Sequence, residues 1–198
     1  KLSLDAMAAG AFKNAKLRYS STGVGSGDIN KTTNGAFHAT AANTQLTVAH
    51  VQEVRDDLYT TYGAEPFEGD DYVCLASTVA LRGIKNDPEW QDWQKYLGQV
   101  DAFFKGEVGK IENVRFIEII NTSALGKEGV NNIGAAIFFG DDAVRMAVAT
   151  DPELRVAIPT DFGRKQSGAW YGVLEFTEVW DVSAPAFGQA NIIYFGSV

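Results

Sequence analysis

Several things are scarce in this chain, and each scarcity excludes something. Cysteine occurs once, at Cys74, so no internal disulfide forms. Cys74 sits in the apolar run Tyr72-Val73-Cys74-Leu75 and reads as a small buried hydrophobe. Only two histidines are present, His38 and His50, with no cysteine beside either, so no zinc site is expected. Basic residues number 17 against 25 acidic ones, for a formal net charge of −8. A grip on nucleic acid needs concentrated positive charge. The longest basic cluster is the pair in Gly163-Arg164-Lys165, which argues against a nucleic-acid-binding module. Long apolar runs are missing too. The longest, Ala135 to Phe139, is far short of the ~20 residues of a membrane span.

The chemical motifs are equally thin. Gly-x-Ser-x-Gly is absent. Gly23-Val24-Gly25-Ser26-Gly27 is neither a phosphate loop nor a dinucleotide fingerprint: no strand of quality leads in and no Lys-Ser/Thr follows. It reads as a flexible loop. Asp28, Asn30 and Thr32 fit the start of a calcium loop, but Thr33 replaces its glycine and Ala39 its closing glutamate. Two glycosylation-like triplets, Asn30-Lys31-Thr32 and Asn121-Thr122-Ser123, read as chance matches. Beginning at Lys1, the sequence is expected to lack an N-terminal piece.

What is there is an ordinary globular composition: 198 residues, 45% hydrophobic and 12% aromatic. Such a chain buries roughly 70% of its unfolded surface. Leu4, Met7, Ala8, Ala11 and Phe12 have helical spacing, and Ser20 to Asn43 is a polar, glycine-rich loop. Val51, Val54, Leu58 and Tyr62 recur at helical spacing, with Thr47 as N-cap, Leu46 and Val51 as a staple, and Gly63 as the stop. Asp87-Pro88-Glu89 opens another helix, with Trp90, Trp93 and Leu97 on one face. Gly106 and Gly109 bracket a turn, and Asp141 caps a short helix through Val148. Strands are expected at Tyr72 to Ala76, Val114 to Asn121, Gly134 to Phe139, Leu154 to Ile158, Trp170 to Trp180 and Ile192 to Phe195. No regular strand–helix–strand repeat appears, so the fold class is α+β.

One family resemblance rests on a run of landmarks. They are Leu46-Thr47-Val48, Pro66, Tyr72-Val73-Cys74-Leu75, Leu81-Arg82 and Asp87-Pro88-Glu89-Trp90. They continue through Gly106-Glu107-Val108-Gly109-Lys110-Ile111, Val114-Arg115-Phe116-Ile117-Glu118, Phe139-Gly140-Asp141-Asp142-Ala143 and Phe162-Gly163-Arg164. Together they resemble the major capsid proteins of N4-like tailed phages, which share the HK97-type capsid fold. The resemblance is fullest over residues 45 to 145; Ala76-Ser77-Thr78-Val79 departs from the family's usual turn.

The resemblance implies a layout and a role. Residues 1–66 would hold a flexible loop and a long spine helix (Leu46 to Tyr62) of the peripheral domain. Residues 67–180 would form the axial domain, and 181–198 would return to the peripheral domain. The chain would be a structural major capsid protein with no enzymatic activity and no cofactor. It would self-assemble as hexamers and pentamers into an icosahedral shell around double-stranded DNA, without sequence-specific binding. Scaffolding, portal and decoration proteins would be further partners. It would be assembled in the host cytoplasm and reside in the virion. Subunit-interface candidates are Arg55, Phe67, Glu68, Arg82, Phe103 and Phe104.

Two alternatives accompany this reading. One is an encapsulin-like compartment shell. The other is a carbohydrate-binding or hydrolytic domain using Glu175 and Glu178 beside Trp170, Tyr171 and Trp180.

Overall fold

The structure, a computed structural model, describes residues 10–12, 15–23, 25, 27–33, 45–97, 107–119, 127–128, 131–132, 134–157, 164, 166–179 and 190–197. Its strands are β1 (Arg18–Ser21), β2 (Ile29–Thr32), β3 (Tyr72–Ser77), β4 (Glu107–Ile111), β5 (Val114–Ile119), β6 (Lys127–Glu128), β7 (Asn131–Asn132), β8 (Gly134–Phe139), β9 (Val144–Val156), β10 (Gly168–Glu178) and β11 (Ile192–Ser197). Its helices are α1 (Val48–Asp56, continuing as a π-helical turn over Asp57–Thr61), α2 (Thr78–Asn86) and α3 (Pro88–Leu97).

Seven strands form one mixed sheet in the order β2-β1-β11-β8-β3-β5-β4. The pairs β1–β11 and β3–β5 are parallel and the other four are antiparallel. A parallel pair needs a crossover, and the β3-to-β5 connection supplies one through α2 and α3. Helices and strands are mixed, as an α+β reading requires. Strands from all three expected segments, 1–66, 67–180 and 181–198, meet in this one sheet.

The core lies on the sheet face that the helices cover. Val48, Val51, Val54 and Leu58 of α1, Ala80, Leu81 and Ile84 of α2, and Trp90 of α3 pack on Tyr72, Cys74, Phe116, Phe138 and Phe195. Rings run across this face in sequence: Trp90 to Phe116 at 5.6 Å, Phe116 to Phe138 at 6.4 Å, and Phe138 to Phe195 at 6.5 Å. Cys74 pairs with Phe116 on one side and Phe138 on the other. Its small side chain lets those two rings meet above it. Burial pushes its thiol pKa well up, so it is inert, as the apolar run suggests. The opposite face carries a second cluster of Ala135, Ile137, Ile192 and Tyr194.

The long spine helix expected over Leu46 to Tyr62 is the largest departure. Nine residues of α-helix are followed by five in a π turn, and no helix is longer among the described residues. Its ends are where the sequence puts them. Thr47 precedes the first turn, and Gly63 follows at φ +62°, a left-handed conformation that favours glycine. Asp87 caps two helices at once: Oδ1 accepts from the Glu89 N–H and Oδ2 from the Val48 N–H, both at 3.0 Å. In α2, a Cβ on Gly83 would lie 2.7 Å from the Leu46 carbonyl oxygen, so glycine permits the helix to approach the start of α1.

Four local expectations are corrected. The loop from Ser20 contains the β1–β2 hairpin. The helix expected after Asp141 is the first part of β9, because pairing with β10 overrides local helix preference. Gly109 lies within β4, and the turn falls at Glu112 and Asn113, both with positive φ. The helix α2 was not anticipated. Of the N-terminal helix expected over residues 3 to 16, residues 10–12 are helical, Ala15 and Lys16 are described and not helical, and the others lie outside the described residues.

Candidate interaction surface

The sequence of β9 alternates from Val144: Val, Arg, Met, Ala, Val. In β10, Trp170, Leu174 and Phe176 share one parity, while Tyr171, Glu175 and Thr177 share the other. Residues two apart on a strand face the same way. The two strands form a separate antiparallel ribbon that matches apolar with apolar. Leu154 pairs with Trp170, Val148 with Leu174, and Met146 with Phe176. On the other face, Glu153 pairs with Tyr171, Ala147 with Glu175, and Arg145 with Thr177. Register shifts fall between Tyr171 and Leu174, and the facing is kept on both sides of them.

The apolar face is open. Trp170 is 75% exposed, Met146 57% and Leu154 55%. Towards the sheet, Leu174 and Phe176 become half-buried. The polar face has its own contacts: Arg155 lies 4.3 Å over the Tyr171 ring and pairs with Glu153 at 2.6 Å. Single soluble chains rarely leave a contiguous apolar patch of this kind uncovered, and such patches mark interaction sites.

The root of the ribbon is firmly anchored. The Gly140 N–H donates to the Asn191 carbonyl at 3.2 Å, and the Asp141 N–H donates to the Glu65 carbonyl at 2.8 Å. Asn191 Nδ2 donates to the Asp141 carbonyl at 2.8 Å. Arg145 makes a two-pronged hydrogen-bonded pair with Asp142, holding that carboxyl below its usual range. A Cβ on Gly140 would overlap the Glu65 carbonyl oxygen and press on the Tyr72 ring. Gly140→Ala should therefore cost about 2 kcal/mol, read as a lower urea midpoint. A variant with the wild-type midpoint would show that the two backbone segments separate freely.

The remaining sequence candidates are spread over the molecule. Glu175 and Glu178 are three apart on a strand, so they point to opposite faces and cannot flank one bond. Trp180 lies outside the described residues. Phe67 is 54% exposed and packs edge-on against Phe139 at 6.4 Å. Glu68 pairs with Arg115 at 2.7 Å. Arg115 also holds Asp71 at 2.9 Å, and Lys110 reaches the same buried carboxylate at 2.6 Å. Arg55 pairs with Asp56 at 2.8 Å and lies over the exposed Tyr59 ring. Arg82 is exposed on α2. Phe103 and Phe104 lie outside the described residues. Trp90 is a core residue. Among the described residues, no group of three or more His, Cys, Asp or Glu side chains could hold a metal, and no helix is long and apolar enough to cross a membrane.

The ribbon was missed as a surface by sequence reasoning, although its period-two signal is present in both strands.

No protein-family model matches the chain, and no curated protein matches it in sequence. Solved structures do match. The capsid of Ralstonia phage GP4 aligns with a TM-score of 0.58 at 14% identity, over 98% of this chain and 63% of that one. The acidic stable capsid structure of Helicobacter pylori bacteriophage KHP30 aligns with a TM-score of 0.57 at 14% identity, over 96% of this chain and 64% of that one. The cyanophage Pam1 capsid asymmetric unit aligns with a TM-score of 0.54 at 16% identity, over 81% and 52%. The chain thus spans less than two thirds of the length of these capsid chains. Across almost its whole described sheet-and-helix framework, the chain has the fold of a phage capsid protein.

Proposed function

We propose that the chain is a structural subunit of a tailed-phage head, assembling with copies of itself into a closed icosahedral shell of HK97 type around double-stranded DNA. The observation that carries this is the capsid fold, aligned over 96–98% of the chain in two capsids. The open apolar face of β9–β10 supports it, because a shell subunit has to bury such surface against its neighbours. Closed symmetry repeats each contact many times, so individually modest contacts suffice. The net charge of −8 suits a wall that must not grip the genome it encloses.

In this reading α1 stands at the place of the spine helix, in shorter form. Residues 67–180 supply the axial part; 1–66 and 181–198 supply the peripheral part, the two sharing one sheet. Arg55, Phe67, Glu68, Arg82, Phe103 and Phe104 are interface residues alongside the ribbon. The subunit acts in the virion without catalytic activity, after assembly in the host cytoplasm. An N4-like membership, with portal, scaffolding and decoration proteins as partners, belongs to the same proposal.

The test is particle mass and shape. The full gene product is purified and followed by light scattering and negative-stain microscopy. Closed shells of megadalton mass are expected. A Leu154→Ser/Trp170→Ser variant should stay folded, since both positions are exposed, and should fail to close shells. A wild-type protein that remains monomeric across salt and concentration would overturn the proposal. Normal shells from the double variant would remove the ribbon from the interface.

A further inference from the structure

The first turn of α1 holds a histidine that is fully buried. His50 is 0% exposed. Its Nδ1 accepts a hydrogen bond from the Thr47 N–H at 3.3 Å. Glutamate or glutamine ordinarily fills that role in a capping box. Its Nε2 is buried and faces the backbone of Gly23 without a well-formed hydrogen bond. From β11 the ring meets Phe195, with centroids 5.5 Å apart.

Three carboxylates surround it, one from each polar neighbour: Glu53 on α1, Asp28 before β2, and Asp87 after α2. Each is engaged elsewhere. Glu53 accepts from the Gly27 N–H at 2.9 Å and pairs with Lys31 at 2.9 Å. Asp28 accepts from the Gly25 N–H at 3.0 Å. Asp87 caps the two helices. None of the three hydrogen-bonds to the imidazole.

The neutral ring fits this setting and the imidazolium does not. A proton on Nδ1 would turn the acceptor into a donor facing the Thr47 N–H. It would also place a buried positive charge at a helix N-terminus, where the helix dipole is already positive. We propose that His50 is an acid-operated latch: its protonation releases the first turn of α1, while the sheet stays closed. This device is independent of the shell reading.

The direction of the pH effect follows from burial. Desolvation holds the His50 pKa below its ordinary value, against an upward pull from Glu53, Asp28 and Asp87. The opened form therefore binds the proton more tightly than the closed form. The latch is fully engaged above about pH 6.5, the ordinary histidine value, and is lost as pH falls through the lowered one.

Hydrogen exchange of the intact protein at about pH 7.5 and about pH 5, corrected for intrinsic rates, reads the latch directly. Amides of residues 47–52 should lose roughly tenfold protection in acid, while those of β1, β3 and β8 keep theirs. His50→Gln keeps a capping acceptor and should abolish the difference. Unchanged protection in the wild type overturns the latch, and so does the same acid loosening in His50→Gln. If that variant does not fold, proton titration of the wild-type imidazole by NMR decides. The His50 signal, assigned with a His38→Gln variant, should titrate below about pH 6.5 together with the Thr47 amide. A midpoint at or above that value overturns the proposal.

Discussion

Leu58→Asp should yield a chain that does not fold. Leu58 is completely buried in the π turn that ends α1, within the main core. The substitution removes a buried isobutyl group, worth roughly 2–5 kcal/mol when leucine is cut to alanine. It also asks for a carboxylate in the same place. An isolated buried charge costs several kcal/mol more, whether paid as desolvation or as forced protonation. Tyr19, Asp57 and Lys31 form a polar network beside this turn: the Tyr19 hydroxyl donates to Asp57 at 2.6 Å, and Lys31 pairs with Asp57 at 2.7 Å. That network already satisfies its own members. Folding stabilities of single domains are about 5–15 kcal/mol, so the combined cost consumes most or all of it. Leu58→Ala should remain folded, with a lower melting temperature. Circular dichroism and a thermal scan of both variants check this. A cooperative melt of Leu58→Asp near the wild-type temperature would show that this side chain has access to water.

How much of this was legible in the sequence depends on where each element's partners lie. Strands β3, β8 and β11 announce themselves, because both of their faces are buried and their residues form short, nearly continuous apolar runs. The ends of α1 and the start of α3 were legible because caps are local: Thr47, Gly63 and Asp87-Pro88 act within a turn of where they stand. The β1–β2 hairpin was not legible. Its residues are mostly polar, and what fixes it comes from α1: Asp57 on Tyr19, Glu53 on Lys31 and on the Gly27 amide. Those partners are 22 to 38 residues away in the chain, beyond any local pattern. Helix α2 carries Gly83 in its interior, where glycine is locally unfavourable, and its closeness to the Leu46 carbonyl supplies the packing reason that no local pattern shows. The ribbon shows the converse failure. Glu175 and Glu178 were paired by their closeness in sequence beside aromatic residues, although in the strand expected there residues three apart face opposite ways. The same geometry gathers Met146, Val148, Leu154, Trp170, Leu174 and Phe176 onto one face. The pattern was in the sequence, but its meaning depended on knowing that nothing in the described chain covers it.

Phe138→Ala is expected to be the costliest truncation that still leaves a folded protein. Phe138 lies on β8, near the middle of the seven-stranded sheet, and is completely buried. Its ring touches Phe116 on one side and Phe195 on the other, edge to face, at interplanar angles of 88° and 77°. Those two contacts continue to Trp90 on α3 and to His50 on α1, so the chain of rings ties both helices to the sheet. Removing the central ring opens a cavity that its neighbours cannot fill. Cys74 beneath it is too small, and the strands on either side are held in register by pairs such as Cys74–Phe138 and Phe195–Ala136. Phenylalanine-to-alanine changes in such cores cost about 3–5 kcal/mol, and the aromatic contacts put this one at the upper part of that range. For a chain of this length each kcal/mol lowers the melting temperature by about 2–4 °C, so a fall of roughly 10–20 °C is expected. The denaturant slope should be unchanged if the variant still unfolds as one unit. Phe138→Leu refills most of the volume but not the edge-to-face geometry, and should lose less than half as much. The comparison separates volume from ring geometry. Equal losses for Phe138→Ala and Phe138→Leu would mean that ring contacts, not cavity volume, hold this face of the sheet together, and a loss below about 1 kcal/mol for Phe138→Ala would mean that the ring chain does not join the helices to the sheet.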